Sequence, residues 1–190
     1  MPQLRLGWSY MKSSGRERDL LGRACLIVDG YNVMARMAES SLEQIADMEG
    51  MRDRLLHRLS EYSAFTGETV ILVFDAWRTR DPSRRRLISG VQVIYTSAEE
   101  TADERIERLV YLLRDRFREI TVASSDVAEQ QVSFGGGALR VSADGLLRRL
   151  ETVERKIQAR IRELPGTSAA LMKDRISQEI MNILEKWRRS

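Results

Sequence analysis

Two kinds of hydrophobic pattern alternate along the chain. Short continuous apolar runs occur at Cys25-Leu26-Ile27-Val28 and at Val70-Ile71-Leu72-Val73-Phe74, and Ile120-Thr121-Val122-Ala123 reads as a further strand. Runs of four or five residues without polar alternation read as strands buried on both faces, the mark of a parallel sheet. Two weaker signals, Val91, Val93 and Tyr95, then Leu139-Arg140-Val141, predict further short strands. Between them the period changes. Leu42, Ile45, Met48, Leu55, Leu59 and Tyr62 recur at helical spacing over 41–65, and Gly67 ends the run. Thr101 and Glu104 stand at capping-box spacing ahead of a helix that buries Ile106, Leu109, Val110 and Leu113.

A short helix is expected through 127–132, followed by a Gly135-Gly136-Gly137 turn. From Ser142 a long amphipathic helix carries Leu146, Leu150, Val153, Ile157, Ile161 and Leu164, until Pro165-Gly166 breaks it. A last helix at 169–188 carries Leu171, Ile176, Ile180, Ile183 and Trp187 within a basic surround; folding back onto the body ranks ahead of a dimer arm or a dock on ribosomal RNA. Residues 1–23 show no sustained period and read as a flexible extension, with Met11 an alternative start. The expected organisation is therefore an extension (1–23), an α/β domain (24–164) and a helical appendage (165–190). Alternating apolar strands and helices predict a parallel sheet flanked by helices on both faces.

Composition narrows the class. The 190 residues are 43% hydrophobic and 31% charged, enough apolar material for a sizeable core. A single cysteine, Cys25, excludes a disulfide framework, and a single histidine, His57, excludes a two-histidine zinc site. With no secretory signal and no apolar run near the roughly 20 residues that span a bilayer, a cytoplasmic protein without a membrane partner is expected. The net charge of +3 is uneven. Residues 24–145 hold fifteen arginines against twenty acids and no lysine, whereas 146–190 hold eleven basic side chains against six acidic. An acidic body with basic ends suits a metal-dependent enzyme acting on a polyanion, although charged helix surfaces produce the same count.

The chemistry lies at strand ends. Three strands end in aspartate: Asp29 after CLIV, Asp75 after VILVF and Asp126 after ITVASS. Asp103 stands in the first turn of the helix that follows the third strand. In a parallel sheet all four reach the carboxyl edge, where α/β proteins bind ligands. Carboxylates crowded together resist ionisation unless a cation compensates, and hard oxygen donors suit Mg²⁺ or Mn²⁺. Any one such aspartate also suits helix capping or turn formation. Asn32 could orient a water or a phosphate, or simply form a turn. Other chemistries lack their residues: there is no DxD pair with a body lysine, no GxxxxGK[ST], and no GxGxxG after a strand. Cys25, inside an apolar run, reads as inert core, and His57 as a surface residue.

These residues fall in blocks that resemble the YacP-like family of NYN domains, a branch of the PIN-like nuclease fold. The blocks are Leu26-Ile27-Val28-Asp29-Gly30-Tyr31-Asn32-Val33, Val73-Phe74-Asp75-Ala76, Tyr95-Thr96 through Glu100-Thr101-Ala102-Asp103, Val122-Ala123-Ser124-Ser125-Asp126, and Ala128-Glu129-Gln130 with Gly135 through Ser142. The resemblance implies a metal-dependent endoribonuclease. It casts Asp29, Asp103 and Asp126 as ligands of Mg²⁺ or Mn²⁺, with Asp75 and Asn32 as supporting catalytic residues. Many PIN domains carry a further acid two positions after the third; here Ala128 stands there and Glu129 follows, leaving one or two ions open.

The expected substrate is single-stranded or loop RNA, with mRNA at the ribosome as one setting. Arg78, Arg80, Arg84, Arg85 and Arg86 cluster after Asp75 in a polar connection spanning 78–90, and Arg140 lies on the last strand. Guanidinium forks there would clamp phosphates, unless the segment is only a solvated loop. Tyr31 and Trp77 could stack on an unpaired base, or could be packing residues. The alternative, from another class, is a catalytically silent RNA- or ribosome-binding module.

Overall fold

The apolar runs become the central strands of a sheet because each is walled by hydrophobic side chains on both faces. The computed structural model describes residues 23–75, 85–124 and 137–163. In chain order these form β1 (Ala24–Asp29), α1 (Gly30–Ala38), a 3₁₀ turn (Leu42–Gln44), α2 (Met48–Thr66), β2 (Thr69–Phe74), β3 (Arg85–Ile88), β4 (Val91–Tyr95), α3 (Ala102–Leu113), β5 (Glu119–Ser124), β6 (Leu139–Ser142) and α4 (Ala143–Glu163). The described strands make one six-stranded sheet of order β3-β4-β2-β1-β5-β6. Its neighbours are parallel except β3 and β4.

Side-chain alternation along the strands divides the core. Leu26, Val28, Val70 and Leu72 pack with Met34 of α1, Leu55 and Leu59 of α2, and Leu146 and Leu150 of α4. Cys25, Ile27, Ile71 and Val73 point the other way, onto Ile106, Leu109, Val110 and Leu113 of α3. The helices thus cover both faces, as the pattern predicts. Two exposed or half-exposed ion pairs, Arg36–Asp144 and Arg58–Glu154 (2.5 Å each), join α4 to α1 and α2. The Cys25 thiol is pushed up to about 12 by burial and, secondarily, by Glu68, so it is inert at neutral pH. His57 is half-exposed on α2, with Nε2 3.6 Å from Glu61.

Three expectations need correcting. The helix expected over 41–65 is preceded by another, α1, which starts directly from β1. Glu39 closes α1 in the left-handed region (φ 49°), and Asp47 opens α2 by accepting the Gly50 N–H. Second, residues 85–88 are not loop. Ser89 and Gly90, both at positive φ (46° and 84°), form the tight connection that folds them back as an antiparallel edge strand on β4. Arg85 and Arg86 therefore sit on a strand of a mixed sheet. Third, six described strands replace the five expected. The capping box is present as predicted: Thr101 Oγ1 accepts the Glu104 N–H, and Glu104 Oε2 accepts the Thr101 N–H.

The expected helices at 127–132 and 169–188, the glycine turn before Gly137, and the extension at 1–23 lie outside the described residues or, for the extension, almost wholly so. Among the described residues no helix is long and apolar enough to cross a membrane.

Candidate active site

Chain direction sets the location. From β1 the chain moves one way to β2 and β4, then returns to the other side of β1 for β5 and β6. The reversal lies between β1 and β5, where α/β sheets open a crevice beyond the carboxyl ends. Asp29 ends β1 on one flank of that crevice, and Ser124 ends β5 on the other.

The period of two along each strand also selects a face. Asp29 continues the series Cys25, Ile27; Asp75 continues Ile71, Val73; Thr96 continues Ile94; Ser124 continues Ile120, Val122. All four share the face covered by α3, whose first turn carries Asp103. The fold therefore gathers three of the four expected acids, Asp29, Asp75 and Asp103, at one edge and on one face.

Asp29 is the centre of the group. It is 6% exposed, it caps α1, and Asn32 binds it twice. The Asn32 N–H donates to Oδ1 at 3.2 Å and Nδ2 donates to Oδ2 at 2.6 Å. Burial nevertheless pushes the Asp29 carboxyl above the ordinary aspartate range; Asn32 pulls it back, and the negative charges of Asp103 and Asp75 push it up again. Asp103 is exposed and Asp75 half-buried, so solvent reaches the group from the α3 side.

Thr96 joins the group as a buried hydroxyl that the sequence alone did not single out. It is fully buried, its N–H donates to the Phe74 carbonyl at 3.0 Å, and its hydroxyl donates to Asp75 Oδ1 at 3.4 Å. It belonged to a matching block, yet a lone threonine after a strand carries no chemical signature. On the β5 side, Arg140 of β6 donates Nε and Nη2 to Ser124 Oγ at 3.1 and 2.9 Å. That contact brings the Arg140 guanidinium to the end of β5, on one flank of the crevice.

The arginines after Asp75 separate. Arg85 is in register with Ile94 and shares the α3 face; Arg86 is in register with Val93 and takes the opposite face. The Arg85 charge is opposed by burial and by Arg105 and Arg108 of α3. Those two in turn hold the largely buried Glu100, tying the segment before α3 to the helix. Tyr31 is not available for base stacking. It is 6% exposed, its ring lies 5.1 Å from that of Phe74, and its hydroxyl accepts from Arg52. Asp126, Arg78, Arg80, Arg84 and Trp77 lie outside the described residues.

The donor set fits a hard divalent ion in kind: carboxylate oxygens, one of which resists ionisation mainly because it is buried and further because two acids stand near it. Among the described residues no group of three or more carboxylate, histidine or cysteine side chains is arranged to hold a metal. Asp126, the remaining acid of the expected ligand set, lies outside the described residues.

The model of the YacP-like NYN domain matches residues 26–189. The YacP protein of Bacillus subtilis strain 168 is 42% identical over 164 residues, covering 86% of this chain and 96% of that one. Two crystal structures are similar, those of Rae1 (YacP) from Bacillus subtilis and of its tryptophan-to-leucine mutant. Each is 39% identical and covers 87% of this chain and 95% of its own, with TM-scores of 0.62 and 0.60. With these matches, and a six-stranded α/β sheet that fits a PIN-like nuclease fold, the chain belongs to the YacP-like NYN domain family.

Proposed function

We propose that this protein is a metal-dependent endoribonuclease that hydrolyses phosphodiester bonds in single-stranded or loop RNA. The observation that carries the reading is the buried, charge-crowded Asp29 at the sheet's crossover point, sharing one face with Asp75 and Asp103. Asp29, Asp103 and Asp126 would hold Mg²⁺ or Mn²⁺, and a bound ion supplies neutralisation of phosphate charge and a more acidic water.

The chain's own groups do the rest. Asn32 keeps the Asp29 carboxylate in one orientation by holding both oxygens. Thr96 steadies Asp75, and Arg140 brings positive charge to the β5 side of the crevice. Arg78, Arg80, Arg84, Arg85 and Arg86 are the further contacts to the RNA backbone. An mRNA presented by the ribosome is the setting in which this site would find its target.

The test is cleavage of labelled RNA with and without Mn²⁺ by the wild type and Asp126→Ala, repeated with ribosomes present. Metal-dependent products from the wild type alone support the reading. Retained RNA affinity without such products, in either setting, selects the silent binding module instead.

A further inference from the structure

On the opposite face of the same edge lies a guanidinium that the acidic group does not use. Tyr31, Phe74 and Tyr95 line up beside the carboxyl ends of β1, β2 and β4. The Phe74 ring is 5.1 Å from Tyr31 at 60° and 5.5 Å from Tyr95 at 21°. Arg52, from the start of α2, places its guanidinium over Tyr31 and Phe74 at 5.6 and 5.9 Å, and donates Nη2 to the Tyr31 hydroxyl at 2.9 Å. Its Nε is buried without a hydrogen-bond partner among the described residues.

A guanidinium has five N–H donors, and leaving one buried and unpaired is costly. Packing on an aromatic row alone would be met by leucine or methionine at no such cost. The neighbourhood is also cationic. Tyr95 lies within the influence of Arg52 and Arg86 as positive charges, with Asp53 the acid that opposes them. Burial pushes the Tyr95 hydroxyl up to about 12, so it remains a donor at neutral pH. Arg52 and Arg86 thus both bring positive charge to Tyr95, in a segment of the chain that is acidic overall.

Resting on the nuclease reading above, we propose that Arg52, with Arg86 beside it, binds a backbone phosphate of the RNA strand next to the one held at the acids. The sheet edge then separates two subsites. Carboxylates on the α3 face take the bond to be cut, and guanidiniums on the α1–α2 face take a neighbouring phosphate. The stack on Tyr31 and Phe74 and the bond to the Tyr31 hydroxyl hold the Arg52 guanidinium in one orientation, so less side-chain freedom is lost when a phosphate binds its remaining donors.

The experiment uses the full chain carrying Asp29→Asn, so that RNA is bound and not cut. Affinity for a labelled single-stranded oligoribonucleotide is measured by anisotropy across a KCl series. Each phosphate contact to a single strand contributes about 0.7 to the slope of log affinity against log salt. Arg52→Gln should lower the slope by about 0.7 and weaken binding roughly tenfold at low salt. Arg52→Lys should keep the slope, and Arg86→Gln should lower it as Arg52→Gln does. A merely structural Arg52 would instead lower the melting temperature with the slope untouched.

An unchanged slope in Arg52→Gln, while the parent binds RNA, overturns this subsite and leaves the nuclease reading standing. A parent that binds no RNA, with a wild type that cuts none, overturns both. If Arg52→Gln does not fold, Arg52→Met, which keeps the apolar stem on the aromatic row and removes only the charge, decides: a lowered slope supports the subsite and an unchanged one overturns it.

Discussion

Asn32 holds Asp29 by both oxygens, from its backbone N–H and from its side-chain amide, across a single turn at the junction of β1 and α1. One aspartate thus serves as helix cap and as the buried acid of the site. The two roles separate under substitution, because asparagine caps a helix about as well as aspartate but brings no charge.

Asp29→Asn should abolish RNA cleavage while leaving the melting temperature at neutral pH unchanged or higher. The sign follows from burial. The folded-state pKa of Asp29 lies above its ordinary value of 3.8. Its stabilising contribution is present in full below that ordinary value and is lost as pH rises through the folded value. The variant should therefore gain on the wild type above this window and not below it, in melts recorded from pH 3 to 8. Asp29→Ala removes the cap as well and should lose about 1 kcal/mol on that account.

Mn²⁺ should raise the melting temperature of the wild type. An ion that binds only the folded chain stabilises it by about 2.7 kcal/mol at a hundredfold excess over its dissociation constant. Asp103→Asn should remove most of that gain and leave the metal-free melt unchanged, since Asp103 is exposed and Thr101 supplies the α3 cap. An equal Mn²⁺ response in both proteins would exclude Asp103 as a ligand.

Thr96→Val should cost about 1 kcal/mol by removing a buried hydroxyl bond to Asp75. On a chain this size that is roughly 2–4 °C. If Thr96 positions Asp75, kcat should fall with KM little changed, and Thr96→Ser should restore it. A stability loss with full turnover would mark Thr96 as structural only.

Gly30→Ala should destabilise by about 1–3 kcal/mol, although alanine is the better helix former. A Cβ at Gly30 would overlap the Phe74 ring, which is 2% exposed and held between Tyr31 and Tyr95. Denaturant unfolding with an unchanged m-value is the readout. Combining it with Phe74→Leu should recover part of the loss, because the obstacle is that ring.

Several features were legible in the chain alone. Val70 to Phe74 and Cys25 to Val28 read as buried strands because each is a short apolar run with no polar face, β-branched residues and an Asp that ends it. Thr101 and Glu104 specified the start of α3 through local hydrogen bonds. The acids Asp29 and Asp75 were visible because a parallel sheet delivers its strand ends to one edge, and Asp103 because the helix after a strand starts at that same edge. Less was legible where the pattern is short or the partner distant. Four residues, Arg85 to Ile88, have too little periodicity to declare a strand, and their pairing depends on β4 accepting a neighbour. α1 was hidden because Gly30 reads as a turn, whereas it is there to let Phe74 approach.

The order of apolar and polar residues along the chain determined the class of fold and the edge at which its chemistry lies, because both follow from local periodicity. Only the tertiary structure decided which face of the sheet each side chain takes. It set Asp29, Asp75 and Asp103 together beside α3, turned Tyr31 inward onto Phe74, and placed Arg52 across the edge from the acids. Register between strands and packing against particular helices settle such matters, and these are contacts between residues far apart in sequence.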